Sequence, residues 1–198
     1  MNKCLVLFVE GDTEVEFYKR VIANARQKRS GGTFDINIEC KNVKGVGGFK
    51  NIALRKFIKE IKPKYDEECE FSIALCRDTD VFELSSKPPI EWDEVEAEFR
   101  ENGARQIIHI KARHSIEDWF LLDAKGIITF LRLPKKTKTK IAGGNGYEKL
   151  KRLFKQANKM YYKGMKSNGM VERLDIEKIV QNVYDELYQL YRELGVEE

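Results

Sequence analysis

The sequence predicts an α/β fold: a parallel four-stranded sheet flanked by helices, followed by a helical extension. Two observations carry this. Apolar runs of strand length alternate with segments of helical periodicity from residue 3 to about residue 110. The first run, KCLVLFV at 3–9, is apolar at every position after its lysine, as in a strand covered on both faces.

The elements follow in order. After strand 3–9, residues 13–26 place Val15, Tyr18, Val21, Ile22 and Ala25 at helical spacing. A second strand fits TFDINIECKNV, where Phe34, Ile36, Ile38 and Cys40 alternate. The loop KGVGG leads into a helix over 49–62, with Phe49, Ile52, Ala53, Phe57 and Ile61 on one face. A third strand fits EFSIALC at 70–76, a helix 91–102, and a fourth strand RQIIHI at 105–110. Beyond residue 114, SIEDWFLLDAKGIITFLRL reads as two short helices, then come a basic loop and a helix over 146–159. From Asp175 to Leu194 an unbroken i, i+3, i+4 stripe predicts one helix packed on the body of the domain; the alternative is a homodimer-forming helix. The chain divides into a core over 1–125 and a basic loop with helical extension over 126–198, together one domain.

Composition narrows the class. With 198 residues, 42% hydrophobic and 34% charged, the chain is expected to be a soluble single domain. No apolar run is long enough for a signal segment or a membrane span, so no membrane partner is expected. Cys4, Cys40, Cys69 and Cys76 lack metal-ligand spacing and read as reduced core thiols of a cytoplasmic protein. Charge is unevenly placed: residues 60–101 hold fourteen acids and five bases, residues 132–166 twelve bases and one acid. The second segment has the sign of a surface that faces nucleic acid, DNA or RNA.

Two acidic motifs fall where open α/β sheets bind ligands, at the carboxyl ends of strands. Glu10 ends the first strand, and Gly11 permits a tight turn into the helix. Asp78 and Asp80 follow the third strand, their spacing of two placing both on one side of an extended segment. If the first and third strands are neighbours, the three carboxylates converge. Such a group needs a cation or protons to neutralise it, and all-oxygen ligands suit Mg²⁺ or Mn²⁺. Neither the Glu-Gly pair nor the Asp-x-Asp triplet contains histidine or cysteine, which weighs against zinc or cysteine-nucleophile chemistry.

LVLFVEGDTEVEFY together with IALCRDTDVF resembles the Toprim domain, a Rossmann-like metal-binding fold found in topoisomerases, primases and nucleases. The form EGDTE is similar to that of OLD-family nucleases, in which a second glutamate four residues after the first belongs to the metal site; here it is Glu14. ARHSIEDWFLLD resembles the third acidic motif of OLD-like and small stand-alone Toprim proteins, which implies Glu117 and leaves Asp118 open. YYKG resembles their lysine-bearing motif, making Lys163 the basic residue near the scissile phosphate. The resemblance covers about residues 1–125. It implies a Mg²⁺/Mn²⁺-dependent nuclease with Glu10, Asp78, Asp80, Glu14, Glu117 and Lys163 as catalytic residues, all but the lysine also metal ligands. No ATPase motif is present, which resembles stand-alone components of phage-defence systems that work beside a separately encoded ATPase. The alternative is a non-catalytic subunit of the same fold that binds nucleic acid or protein.

Neighbouring residues have plainer readings. Asp12 or Thr13 is expected to cap the first helix, and Glu16 to be a solvated first-turn acid. Arg77 either offsets the acids or contacts phosphate. His114 reads as structural, KGVGG as a flexible turn, and Trp92 and Trp119 as core or partly buried.

Overall fold

A computed structural model describes residues 2–29, 31–79, 90–164 and 169–196. Four parallel strands form one sheet in the order β2-β1-β3-β4. They are β1 (Lys3–Val9), β2 (Asn37–Asn42), β3 (Glu70–Asp78) and β4 (Ala104–Ala112). The expected α/β class and parallel four-stranded sheet are therefore present. From β1 the chain moves outward to β2 on one side, then crosses back to β3 and β4 on the other. The order reverses between β1 and β3, and that switch point opens a crevice at their carboxyl ends.

β1 is buried along Cys4–Val9, as its unbroken apolar run requires. Leu5, Leu7 and Val9 face one core, Cys4, Val6 and Phe8 the other. The first core is covered by α1 (Asp12–Lys28) and by helices beyond β4. The second is covered by the helical segment 49–61 and by α3 (Trp92–Glu101).

Segment 49–61 departs from a plain helix. π turns at Phe49–Ala53 and Phe57–Ile61 flank a short α turn, α2 (Leu54–Lys56). The buried residues Phe49, Ala53, Phe57 and Ile61 recur strictly every four positions. An α-helix drifts off such a row at 3.6 residues per turn; i→i+5 turns hold it against the sheet.

After β4 come α4 (Ile116–Phe120), α5 (Ala124–Phe130) and α6 (Gly146–Gln156). The C-terminal stripe is not one helix. It divides at Val183 into α7 (Ile176–Asn182) and α8 (Tyr184–Glu193). α7 packs against α1 while α8 packs against β4, so the break lets one apolar stripe follow two differently placed supports. Ile176, Ile179, Val180, Val183, Leu187, Leu190, Tyr191 and Leu194 are buried within this chain, as the packed reading expects. Among the described residues no helix is long and apolar enough to cross a membrane.

All four cysteines are free, and burial pushes the Cys4 thiol up to about 11 and Cys40 to about 12. None is set up as a thiolate nucleophile.

Candidate functional site

Parallel pairing of β1 with β3 puts Val9 opposite Cys76, so the residues after them meet at the switch point. The Asp78 backbone N–H donates to Glu10 Oε1 at 3.0 Å, which ties the two acidic motifs together. Asp78 is 2% exposed; its Oδ1 accepts the Ile116 N–H at 2.8 Å, at the start of α4. That bond brings the third motif to the first two. Asp80 lies outside the described residues.

α1 leaves β1 through Gly11 and aims Glu14 into the same space, 5% exposed. Glu117, on α4, is fully buried, and its Oε1 accepts the Tyr161 hydroxyl at 3.1 Å. Lys163 Nζ stands 2.8 Å from Asp78 Oδ2 without an aligned hydrogen bond. The structure thus gathers Glu10, Glu14, Asp78, Glu117 and Lys163. Among the described residues no three acidic, histidine or cysteine side chains stand at metal-ligating range, and the ammonium of Lys163 holds the place beside Asp78.

Burial dominates the electrostatics. It pushes the Asp78 carboxyl up to about 7, with Glu10 and Glu117 adding repulsion against the opposing pull of Lys163. Burial likewise raises Glu14 to about 8, with Asp78, Glu117 and Glu10 adding to it. A carboxyl raised on folding favours the folded state while protonated. Its contribution is complete below the unfolded pKa of about 4 and is lost as pH rises through 7 to 8. In the presence of a chelator, these two carboxyls are therefore expected to lower the melting temperature progressively between about pH 4 and pH 8 and to add no further slope above that. The Glu14→Gln/Asp78→Asn double variant should lose that slope; scanning calorimetry across the range checks it.

Asp12 does not cap α1. Gly11 holds the cap position, and Asp12 Oδ1 instead accepts Asn42 Nδ2 at 2.8 Å, fastening the helix start to the end of β2. Ser115 donates its hydroxyl to Asp118 Oδ2 at 3.0 Å, and Gly146 packs against the Asp118 backbone and carboxyl, so Asp118 links α4 to α6. Arg77 lies on the opposite face of β3 from Asp78, its guanidinium 3.7 Å from the Trp92 ring centre and in contact with His109. His109 Nε2 in turn meets Glu96 at 2.7 Å.

Some site residues escape the sequence reading. A cavity of about 560 Å³ is lined by Glu10, Glu14, Lys163 and also Asn42, Lys44 and Gly45. KGVGG is thus part of the site: Gly45 N–H donates to the Glu10 carbonyl at 2.8 Å, and Lys44 is held at φ 64° on the rim. The cue was a non-glycine residue before Gly45 in a tight turn. Tyr161, two residues before Lys163, was hidden by its ordinary apolar character.

The segment 161–164 crosses directly over the strand-helix turn. Asp12 N–H donates to the Gly164 carbonyl at 2.8 Å. A Cβ on Gly11 would stand 2.4 Å from Gly164 Cα and 2.8 Å from its oxygen. Gly11→Ala is expected to cost about 1–3 kcal/mol through this backbone clash. It should also displace Lys163 from Asp78, so a thermal melt and a cleavage assay should fall together.

Compared with protein-family models, curated proteins and solved structures, the chain matches none.

Proposed function

We propose that this chain is a Mg²⁺- or Mn²⁺-dependent nuclease of the Toprim type, hydrolysing phosphodiester bonds of DNA or RNA. One observation carries the reading. Glu14 Oε2 and Glu117 Oε2 are buried oxygens without a hydrogen-bond donor beside the switch-point crevice, next to Asp78, whose Oδ2 meets the Lys163 ammonium at 2.8 Å. Such oxygens cost several kcal/mol each when ionised and unpaired, which a hard cation offsets. The donor set is all oxygen and fits Mg²⁺ or Mn²⁺; Glu10, Glu14, Asp78 and Glu117 would hold the metal, with Asp80 as a fifth candidate. When bound, such an ion lowers the pKa of water and neutralises charge building on a phosphate.

The chain's own residues supply the rest. Asp78 is fixed by the Ile116 N–H and Glu10 by the Asp78 N–H, so both carboxylates are set before substrate arrives. Lys163 and Lys44 border the cavity and stabilise the phosphate oxygens electrostatically. Without a cation, burial and the neighbouring acids keep a proton on Glu14 at neutral pH; holding the metal would require Glu14 to release it. From the resemblance to stand-alone Toprim proteins we further propose a role in phage defence beside a separately encoded ATPase.

Labelled DNA and RNA incubated with Mn²⁺ or Mg²⁺ test this, with Asp78→Asn and Glu117→Gln as controls. Cleavage that survives both changes rejects the assignment. A second reading, a non-catalytic binding subunit, draws on the ion pair of Lys163 with Asp78, which already neutralises one carboxylate. Calorimetry separates the two: no heat at millimolar Mg²⁺ or Mn²⁺ favours the binding subunit.

A further inference from the structure

A cavity of about 820 Å³ lies between α5, the end of α6 and residue 173. Among the described residues its lining includes three cations, Arg132, Lys159 and Arg173, and no acidic side chain. Among the described residues none of the three lies within ion-pair range of a carboxylate. Lys159 rests 5.2 Å over the Phe130 ring, which holds its ammonium at the cavity.

The backbone under Arg132 is informative. α5 ends in a left-handed closure: Leu133 N–H reaches the Ile128 carbonyl and Arg132 N–H the Thr129 carbonyl, both at 3.0 Å. α6 ends the same way at Asn158, and the C-terminal helix at Gly195. Glycine and asparagine are the ordinary residues for that conformation, whereas the cavity-lining position carries arginine at φ 56°. A cation near a helix end also meets the negative end of the helix dipole, but each end supplies only about half a charge, against three full cations here.

We infer that this cavity is a phosphate subsite for a nucleic-acid strand, outside the carboxylate site. This rests on the nuclease reading for the identity of the strand. The segment leaving the cavity connects the two places: Lys159 lines the cavity, Tyr161 bonds Glu117, and Lys163 pairs with Asp78. Four residues span at most about 14 Å. At a rise of about 3.4 Å per nucleotide, a strand held at Asp78 reaches the cavity within about four nucleotides.

The test reads binding, not cleavage, so it stands apart from the fate of the nuclease assignment. Fluorescence anisotropy of a short labelled single-stranded oligonucleotide is measured with the full chain in chelator over a range of salt. Each cation released from a single strand contributes about 0.7 to the salt slope, so Arg132→Gly should lower the slope by about 0.7 and weaken binding about eightfold at about 50 mM salt. Adding Lys159→Ala and Arg173→Ala should lower the slope by about 2 in total. Arg132→Gly should melt at the same temperature or higher, because glycine suits the left-handed position. Unchanged Kd and salt slope in the triple variant overturn the proposal, as does failure of the unaltered chain to bind. A mononucleotide that competes at equal affinity also overturns it, assigning the cavity to a small anion. A lower melt for Arg132→Gly with unchanged binding assigns the arginine to the helix end and overturns it too.

Discussion

Asp78→Asn is expected to abolish metal-supported cleavage, by at least about a hundredfold, because even partners one shell removed from a metal cost 10–100-fold when changed. The substitution leaves the fold intact by construction. Asparagine retains the Oδ1 acceptor for the Ile116 N–H at 2.8 Å and the volume of the side chain. It removes a charge that is 2% exposed and repelled by Glu10 and Glu117. Since the carboxyl is raised to about 7, burial and repulsion outweigh the pull of Lys163. In chelator at about pH 8.5 the variant should therefore melt above the parent, and the difference should narrow as pH falls and vanish only below about pH 4, where the carboxyl is protonated in the folded and unfolded states alike. Activity lost with stability gained separates a site residue from a packing residue. Calorimetry should show Mn²⁺ heat lost or sharply reduced. Full cleavage by a folded Asp78→Asn protein would falsify the site assignment.

Phe17→Ala is expected to have the largest effect on stability, about 3–5 kcal/mol. Phe17 is fully buried, its ring 5.3 Å from Phe120, 5.5 Å from Tyr18 and 6.1 Å from Trp119. It wedges α1 against α4, the helices that carry Glu14 and Glu117. Truncation leaves a cavity between them and loosens the spacing of two site carboxylates. Urea unfolding should show a lower midpoint with an unchanged slope. At temperatures where the variant is folded, cleavage should still be reduced. A stability loss under about 1 kcal/mol would mean that α1 and α4 repack freely.

Much of the architecture is legible in local pattern. The uninterrupted run of β1 announces a strand buried on both faces, and Gly11 marks a turn that only a residue without Cβ can make beneath Gly164. Glu10, Glu14, Asp78 and Glu117 stand out because carboxylates at strand ends and first turns conflict with their apolar surroundings. Less legible are the joints. Apolar spacing continues through Val183, so the break there leaves no mark in the periodicity. In 49–61 the apolar positions, with Ile52 among them, read as one ordinary helix face, so the π turns leave no clear mark in the pattern. Asp12 has the composition of a cap, yet Asn42 of a distant strand takes its carboxylate.

What the sequence determined alone is what depends on neighbours in the chain: strand and helix type, the Glu-Gly turn, the pairing of acids at short spacing. What only the tertiary structure decided depends on contacts between distant segments. The order β2-β1-β3-β4 makes β1 and β3 neighbours and creates the switch point. Burial at that point leaves oxygens of Glu14 and Glu117 without donors, and raises the Asp78 and Glu14 carboxyls. Among the twelve bases of residues 132–166, local pattern treats the lysines alike. The crossing of segment 161–164 over Gly11 brings Lys163 to Asp78, and the left-handed end of α5 sets Arg132 beside a cavity. Solvated lysines are interchangeable in periodicity and charge; their roles are assigned by which buried partner the chain's long-range path brings within reach.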